Sequence, residues 1–363
     1  MKRILFSFIL VFSAVFAAFS QQLDGPERAL LNPAYEPFYH GVASGDPLTD
    51  RVILWTRITN TNSFTDTVDW EIATDTAFAN IVNSGTVVTD TSVDFTVKVD
   101  ATNLQPNSWY FYRFKGHGRY SVMGRTKTAP TSGVDNLRFA VMSCAQMPNG
   151  FFHSYRDVVN RNDVDAVLFL GDYYYEYNSN SSVPGDTTRN SYPALQPITV
   201  ADYRLRNSQY KLDEDLRECH RQFPWVMVWD DHEVANDGWM DGAQNHDSTT
   251  QGNFDLRKMA SHKAYFEWMP IRDVVPNDDS LIHRTLHYGN LADVIMLDTR
   301  YEGRDKQVPG YLVNVKDSTL NDTTRTIMGA TQRAWFLDQL NTSSATWKII
   351  GNQVMIAPLI VFG

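Results

Sequence analysis

The sequence has few cysteines, no excess of basic residues and almost no long apolar runs, and each shortage excludes a class of protein. Only two of the 363 residues are cysteine, Cys144 and Cys219, which excludes a fold held by a disulfide framework. The net charge of -10 argues against a nucleic-acid or anionic-membrane partner. With 43% hydrophobic and 13% aromatic residues, the chain can still bury a sizeable core. These values predict a globular protein of one or two domains.

The longest apolar stretch lies at the N-terminus and has the organisation of a secretory signal. Two basic residues precede it, and the tripeptide Ala18-Phe19-Ser20 has the small-x-small pattern of a cleavage site. No later run is long enough to cross a membrane. We therefore predict a signal peptide over residues 1–20, a leader over 21–37, and a mature protein that is secreted or periplasmic. We expect this mature protein to be a monomer without a membrane span.

Residues 38–128 have the pattern of a small antiparallel β-sandwich, because short β-prone runs alternate with turns rich in Asp, Asn, Gly and Pro. The segment around Leu104 and Tyr110 resembles the tyrosine corner of a fibronectin type III-like domain. His40 and Asp46 lie near the start of this region, where we expect them to be structural. The predicted strands are Val52–Ile58, Val68–Ala73, Thr86–Val88, Phe95–Val99 and Trp109–Phe114.

The pattern changes after a predicted linker over residues 129–136. Over residues 137–363, strands alternate with helices, which indicates a layered core of sheets and helices. A polar loop over Asn178–Pro197 interrupts this alternation. The predicted strands are Leu137–Ser143, Val164–Leu170, Val226–Trp229, Ala292–Leu297 and Trp347–Ile350. The predicted helices are Phe151–Asn160, Tyr203–Phe223, Asn253–Trp268 and Thr331–Leu340.

Residues with metal-binding or acid–base chemistry cluster where four of these strands end. An Asp at such a place often caps the next helix, and a Cys there is often buried filler. The open edge formed by the carboxyl ends of strands is, however, where α/β sheets bind their ligands. Because four predicted strands of one core each end in such residues, a shared ligand-binding site is favoured. The four sets are Ser143-Cys144, Gly171-Asp172, Asp230-Asp231-His232-Glu233 and Asp298-Thr299-Arg300.

The residue types in these sets predict metal-assisted hydrolysis of a phosphate ester. Carboxylates prefer hard cations, whereas thiolate and phenolate suit iron or zinc. Asp172 has two oxygens and could bridge two cations, which would clamp a phosphoryl group and activate water. His232 could protonate the leaving oxygen, and Arg300 could hold the phosphate. A disulfide between Cys144 and Cys219 is the alternative to metal binding by Cys144.

At these residues the sequence resembles the PhoD-type alkaline phosphatase and phosphodiesterase family of the metallophosphoesterases. The matching segments occur in the order found in the family and extend over nearly all of the predicted mature chain. They are FYHGVASGDPLTDRVILWTR (Phe38–Arg57), FAVMSCAQ (Phe139–Gln146), VLFLGDYYYE (Val167–Glu176), FPWVMVWDDHEVAND (Phe223–Asp237), VIMLDTR (Val294–Arg300) and WKIIGNQVMIAPL (Trp347–Leu359).

The resemblance implies an α+β fold, in which a fibronectin III-like β-sandwich precedes an αββα metallophosphoesterase domain. It also implies ferric iron paired with calcium. Cys144 and Tyr175 would bind iron, Asp172 would bridge the two metals, and Asp231 or Asn236 would bind calcium. His232 would lie near the leaving group. The choice between Asp230 and Asp231 as the ligand remains open at this point.

The sequence departs from the family in one respect. Members carry a Gly-Asp-x-His motif, with further metal ligands, beyond the segment that begins at Gly351, and no such motif follows here. We therefore expect an incomplete metallophosphoesterase domain. The resemblance predicts a secreted phosphohydrolase that cleaves phosphate mono- or diesters by attack of metal-activated water. The alternative is an inactive, truncated, secreted binding protein.

Overall fold

The computed structural model of the chain describes residues 26–59, 63–178, 189–308 and 322–355. The predicted signal peptide and much of the polar loop that begins at Asn178 lie outside these residues. Within the described ranges, no helix has both the length and the apolar character that a membrane span requires.

The described residues form both helices and strands. The strands are β1 Val42–Gly45, β2 Val52–Arg57, β3 Thr65–Ala73, β4 Ile81–Asp90, β5 Thr96–Ala101, β6 Trp109–Gly116, β7 Arg119–Tyr120, β8 Gly124–Lys127, β9 Phe139–Met142, β10 Ala166–Phe169, β11 Pro224–Met227, β12 Arg284–Tyr288, β13 Ala292–Met296 and β14 Trp347–Gly351. The α-helices are α1 His153–Arg161, α2 Val200–Lys211, α3 Glu214–Gln222, α4 Ser248–Gln251, α5 Phe254–Trp268 and α6 Gly329–Thr342. Short 3-10 helices cover Pro26–Leu30, Pro33–Tyr35, Thr91–Val93 and Met147–Asn149.

The N-terminal strands form the predicted β-sandwich. One sheet has the order β4-β3-β6-β7, with β8 also paired to β6, and β5 pairs with β2 in the other sheet. Side chains from both sheets, among them Val68, Val97 and Tyr112, are buried in one apolar cluster. The Tyr110 hydroxyl accepts a hydrogen bond from the Gln105 backbone N–H at 2.7 Å. This is the bond that defines a tyrosine corner.

One sheet joins the two halves of the chain. Its order is β5-β2-β1-β11-β10-β9, because β1 pairs antiparallel with β2 and parallel with β11. Next to this seam, the carboxylate of Asp46 accepts hydrogen bonds from the Arg284 side chain at 2.6 and 2.9 Å and from the Arg272 N–H at 2.7 Å. Asp46 therefore has the structural role expected of it. The division at residues 129–136 remains a prediction, since this sheet extends across it.

The second half is arranged in four layers. Helices α1 and α3 cover one face of β9–β11, where Tyr155 stacks on Trp225 with ring centroids 6.0 Å apart. The opposite face packs on a second sheet, β12-β13-β14, through contacts such as that of Phe139 with Tyr288 at 5.1 Å. Helix α6 covers the outer face of that sheet. The predicted α+β class is confirmed, with layers in the order helix, sheet, sheet, helix.

The helix predicted over Tyr203–Phe223 is wrong as a single element. The structure has α2 and α3 there, separated at Asp213. The Asp213 side chain accepts a hydrogen bond from the Leu216 N–H at 2.9 Å while its own backbone is extended, with φ -64° and ψ 127°. Asp213 is therefore an N-cap, which starts a new helix within a continuous helical pattern.

Candidate functional site

The ends of β9 and β10 turn sharply, and these turns bring their side chains to one point. Cys144 and Asp172 both have left-handed backbones, with φ of 61° and 58°. A non-glycine residue rarely adopts this conformation, and such strain concentrates at functional sites. Gly171 precedes Asp172 with φ 101°, and a Cβ atom there would lie 2.3 Å from the Asp230 nitrogen. Only glycine therefore allows the loop after β11 to approach this closely.

Asp172, Asp231 and His232 converge in the loops after β10 and β11. Each offers one metal-ligating atom, and these atoms lie within 4.8 Å of one another. All three residues are buried, and Asp172 Oδ1 has no hydrogen-bond partner in the described part of the protein. A buried carboxylate oxygen without a partner is costly unless a ligand completes it. The donor set and this oxygen thus fit a cation.

Electrostatic repulsion within the site also favours a cation. Burial raises the pKa of Asp172, Asp230 and Asp231, and neighbouring Asp carboxylates raise each of them further. Glu233, between the same loops, has its pKa raised well above the ordinary value by burial and by the charge of Asp172. A divalent or trivalent cation would favour the ionised form of these acids.

Cys144 and Tyr175 both contact the Asp172 carboxylate. The Tyr175 hydroxyl donates to Asp172 Oδ2 at 3.1 Å, and the Cys144 thiol lies 3.4 Å from the same oxygen. Burial raises the pKa of both groups. Cys144 and Cys219 are free cysteines, so the alternative of a disulfide is wrong. The structure thus places the thiol and the phenol predicted as iron ligands beside the predicted bridging carboxylate.

Glu176 fixes the orientation of His232. The Glu176 carboxylate accepts a hydrogen bond from His232 Nδ1 at 2.7 Å, which leaves Nε2 free to face a ligand. The His232 ring also lies 4.0 Å from the Tyr175 ring, between centroids. Burial lowers the pKa of His232, but the hydrogen bond and charge of Glu176, with the charges of Asp172 and Asp231, outweigh it and raise the pKa to about 9.

The other predicted site residues have partners of their own. Arg300 forms an ion pair with Asp230 and lies 3.3 Å from Asp231 Oδ1. Asn236 Oδ1 accepts from the Tyr177 hydroxyl at 3.0 Å. Between the two acids left open by the sequence, the geometry places Asp231 in the cation cluster and gives Asp230 to Arg300.

Two functional residues were not assigned from the sequence. Glu176 orients His232, and Glu233 accepts hydrogen bonds from the backbone N–H groups of Asp172, Tyr173 and Asp230 at 2.6–3.1 Å. Glu233 thereby ties the two ligand-bearing loops together. Both residues belong to segments that carried the resemblance. Neither has a local signal for its role, because His232, Asp172 and Tyr173 each lie more than 50 residues away in sequence from the glutamate that they contact.

The fold and the site define an α+β protein with a carboxylate- and histidine-lined centre at the ends of its central strands. The family model described as PhoD-like phosphatase matches residues 139–361, and the model of the N-terminal domain of PhoD-like phosphatases matches residues 26–130. The chain belongs to the PhoD-like phosphatase family.

Known members support this assignment at the level of sequence and structure. Alkaline phosphatase D of Bacillus subtilis (strain 168) is 37% identical over 332 residues, which are 88% of this chain and 56% of that protein. A solved structure of PhoD superposes with a TM-score of 0.79 at 37% identity, over 88% of this chain and 62% of that one. The chain thus spans less than two thirds of the length of these relatives.

Proposed function

We propose that this chain is the metal-binding core of a phosphoric ester hydrolase that cleaves phosphate mono- or diesters. The observation that carries the proposal is the convergence of Asp172, Asp231 and His232 around the unpartnered Oδ1 of Asp172. Family membership supports phosphohydrolase chemistry, and the name of the B. subtilis relative agrees with it.

The side chains have distinct proposed roles. Asp172 and Asp231 hold the cations, with Cys144, Tyr175 and Asn236 as further candidate ligands. The cations, when bound, supply Lewis acidity toward the phosphoryl oxygens. The Nε2 atom of His232 serves the leaving group as a proton donor.

Two positioning features serve this chemistry. Glu176 holds Nδ1 of His232 and so fixes the orientation of the ring, which leaves Nε2 as the nitrogen available to the leaving group. Arg300 holds Asp230 and Asp231 in place through its ion pairs, so the acids stay fixed relative to one another.

The experiment that tests the proposal compares the purified chain with His232→Asn on aryl phosphate mono- and diesters. We expect kcat to fall about 10²- to 10⁴-fold, as for loss of a general acid, with the metal content measured in parallel. His117→Asn, on the β-sandwich, is the matched control and should leave kcat unchanged. If the metal-loaded wild-type chain turns over neither substrate class, the proposal fails and the inactive binding protein is favoured.

Iron and calcium are the proposed cations, on the strength of the family resemblance and of the thiol and phenol beside Asp172. Elemental analysis of the purified protein should find both metals. A tyrosinate bound to ferric iron absorbs visible light, so Tyr175→Phe should abolish a visible absorption band that the control Tyr120→Phe retains. A colourless wild-type protein that contains calcium but no iron would contradict the assignment.

We also propose that the protein is exported. The support is the N-terminal pattern of basic residues, apolar run and small-x-small tripeptide in residues 1–20. N-terminal sequencing of the protein recovered from the host's extracytoplasmic fraction should begin at Gln21. An intact N-terminus on protein found only in the cytoplasm would overturn this.

A further inference from the structure

Arg300, the predicted phosphate-binding residue, is already committed to carboxylates. Its Nε donates to Asp230 Oδ1 and its Nη2 lies 3.4 Å from Asp230 Oδ2 and 3.3 Å from Asp231 Oδ1. The side chain is buried. To bind a phosphate, Arg300 would have to give up charge-assisted bonds in a site of low dielectric, which is costly.

Arg304 lies in the same loop and has no such partner. Its Nη1 donates to the Thr299 carbonyl at 3.1 Å. Its Nε is buried without a hydrogen-bond acceptor, and no carboxylate in the described ranges lies within ion-pair distance of the guanidinium. The side chain as a whole is only partly buried, so a ligand can reach it. A buried N–H group without an acceptor is costly, and an anion would remove that cost.

The surrounding loop holds the Arg304 side chain in place. The Arg304 carbonyl accepts from the Met240 N–H at 3.1 Å. Thr299, which anchors the guanidinium, donates its hydroxyl to Gln353 Oε1 at 2.6 Å. The arginine is thus fixed at its backbone and at one Nη, while its Nε–Nη2 edge has no acceptor among the described residues. A fixed guanidinium loses less entropy when it binds an anion.

The Thr299 carbonyl that anchors Arg304 belongs to the residue before Arg300, and Arg300 pairs with Asp230 and Asp231, so the Arg304 guanidinium lies near the cation site. Burial and the nearby charge of Arg300 lower the pKa of Arg304 to about 10, and Asp230, Asp231 and Asp237 partly oppose this. The guanidinium is therefore cationic at neutral pH and lies within electrostatic reach of the acids that would hold the cations. A phosphoryl group bound at those cations is an anion of the right geometry for two parallel N–H···O bonds.

We propose that Arg304, through its Nε–Nη2 edge, is the arginine that binds the phosphoryl oxygens of the substrate, whereas Arg300 positions Asp230 and Asp231. This inference rests on the proposed phosphohydrolase function. It assigns the two arginines of one loop to different tasks, with Arg304 in contact with substrate and Arg300 acting through the acids.

The test is calorimetric titration of inorganic phosphate into the full chain supplemented with the metals that elemental analysis identifies. Arg304→Ala should weaken phosphate binding about 10- to 100-fold, the loss expected for hydrogen bonds to a charged group, with the metal content unchanged. Arg304→Lys should recover only part of the affinity, because lysine keeps the positive charge but lacks the two parallel N–H donors of the guanidinium. Arg333→Ala, on the exposed side of α6, is the control and should bind phosphate like the wild type.

The outcomes separate this inference from the function it rests on. If the wild type binds phosphate and Arg304→Ala binds it equally well, the inference is overturned and the function stands. If Arg300→Ala abolishes phosphate binding while it retains its metals, the two roles are reversed and the inference is again wrong. If the metal-loaded wild type binds no phosphate, both the inference about Arg304 and the proposed phosphohydrolase function are wrong. Arg304→Lys keeps the charge and most of the side-chain volume. If the alanine variant fails to fold, the phosphate affinity of Arg304→Lys is compared with that of the wild type instead.

Discussion

Two clusters of ionisable groups lie on either side of Tyr173, and they are built in opposite ways. The acidic cluster, Asp172, Asp230, Asp231 and Glu233, occupies the strand ends and includes a carboxylate oxygen without a partner. The basic cluster, His40, Lys211 and His220, is fully buried where the sandwich meets α2 and α3. Lys211 Nζ lies 3.0 Å from His220 Nε2, which also lies 2.9 Å from the Tyr173 hydroxyl.

The two clusters shift protonation in opposite directions. Burial lowers the pKa of His40, Lys211 and His220 well below their ordinary values, and no carboxylate in the described part of the chain opposes this shift. The charges of Arg57 and Arg217 lower the pKa of His40 further, and Lys211, when protonated, lowers the pKa of both His40 and His220. The basic cluster is thus favoured in its neutral form, although His40 Nδ1 and His220 Nδ1 are also buried without partners among the described residues. The acidic cluster has raised pKa values that an added cation would reverse.

Linkage turns this contrast into opposite dependences of stability on pH. The aspartates Asp172, Asp230 and Asp231 have folded-state pKa values above the unfolded value of 3.8, so their cost to folding grows as the pH rises from about that value toward the raised pKa. Lys211 has a folded-state pKa below the unfolded value of 10.5, so its cost grows as the pH falls from that value. A metal ion can relieve the first cost but not the second. This difference distinguishes a ligand site from a structural cluster.

The largest expected effect comes from removing the charge of the carboxylate at the centre of the acidic cluster. Asp172→Asn should weaken calcium binding by about 100-fold or more, because loss of a residue that only supports a ligand already costs about 10- to 100-fold. It should also stabilise the metal-free protein, because one of several repelling buried carboxylates is gone. Calorimetry and urea unfolding with a chelator measure the two quantities. Asp157→Asn, exposed on α1, is the control. If the metal-free Asp172→Asn protein is less stable than the wild type, repulsion between the acids does not destabilise the acidic cluster, and the contrast with the basic cluster is wrong.

The next effect concerns the basic cluster. Lys211→Met removes a buried amine without leaving a cavity, so the decline in stability as the pH falls from 10 toward 7 should become shallower. The slope should change by up to about 1.4 kcal/mol per pH unit, the value for one proton. Urea unfolding at several pH values measures it, with Lys115→Met, exposed on β6, as control. An unchanged slope would mean that Lys211 is protonated in the folded protein.

Much of this architecture was predictable, because buried strands appear in sequence as short apolar runs that end in polar residues. The strand that contains Val167 is such a run, and Asp172 follows its end. The structure brings Asp172 together with Asp231 and His232 at the predicted edge of the sheet. The roles of these residues remain predictions. The pairing of β1 with β11 was not visible, since strand pairing between distant segments leaves no periodicity in either one.

The remaining differences have local physical causes. Strand β12 was not predicted, because Arg284 and His287 give it a half-polar composition that resembles a loop. Lys211 belongs to a helix in which a lysine would ordinarily face solvent, so its complete burial could not be read from its position. Glu176 contacts His232, and Arg300 contacts Asp230, only because separate loops lie side by side in the fold. The sequence of a single loop does not specify which loop it will contact.

The smallest effect tests whether the two clusters are independent. Tyr173 joins them, because its N–H donates to Glu233 at 2.6 Å while its hydroxyl contacts His220. Tyr173→Phe keeps the backbone bond and removes the hydroxyl, so it should cost about 1 kcal/mol of stability, the net worth of one hydrogen bond. Calcium affinity should stay unchanged, because no atom of the acidic cluster loses a partner. If calorimetry instead finds weaker calcium binding, the basic cluster is energetically coupled to the site through Tyr173 and helps to position the loop that contains Asp172.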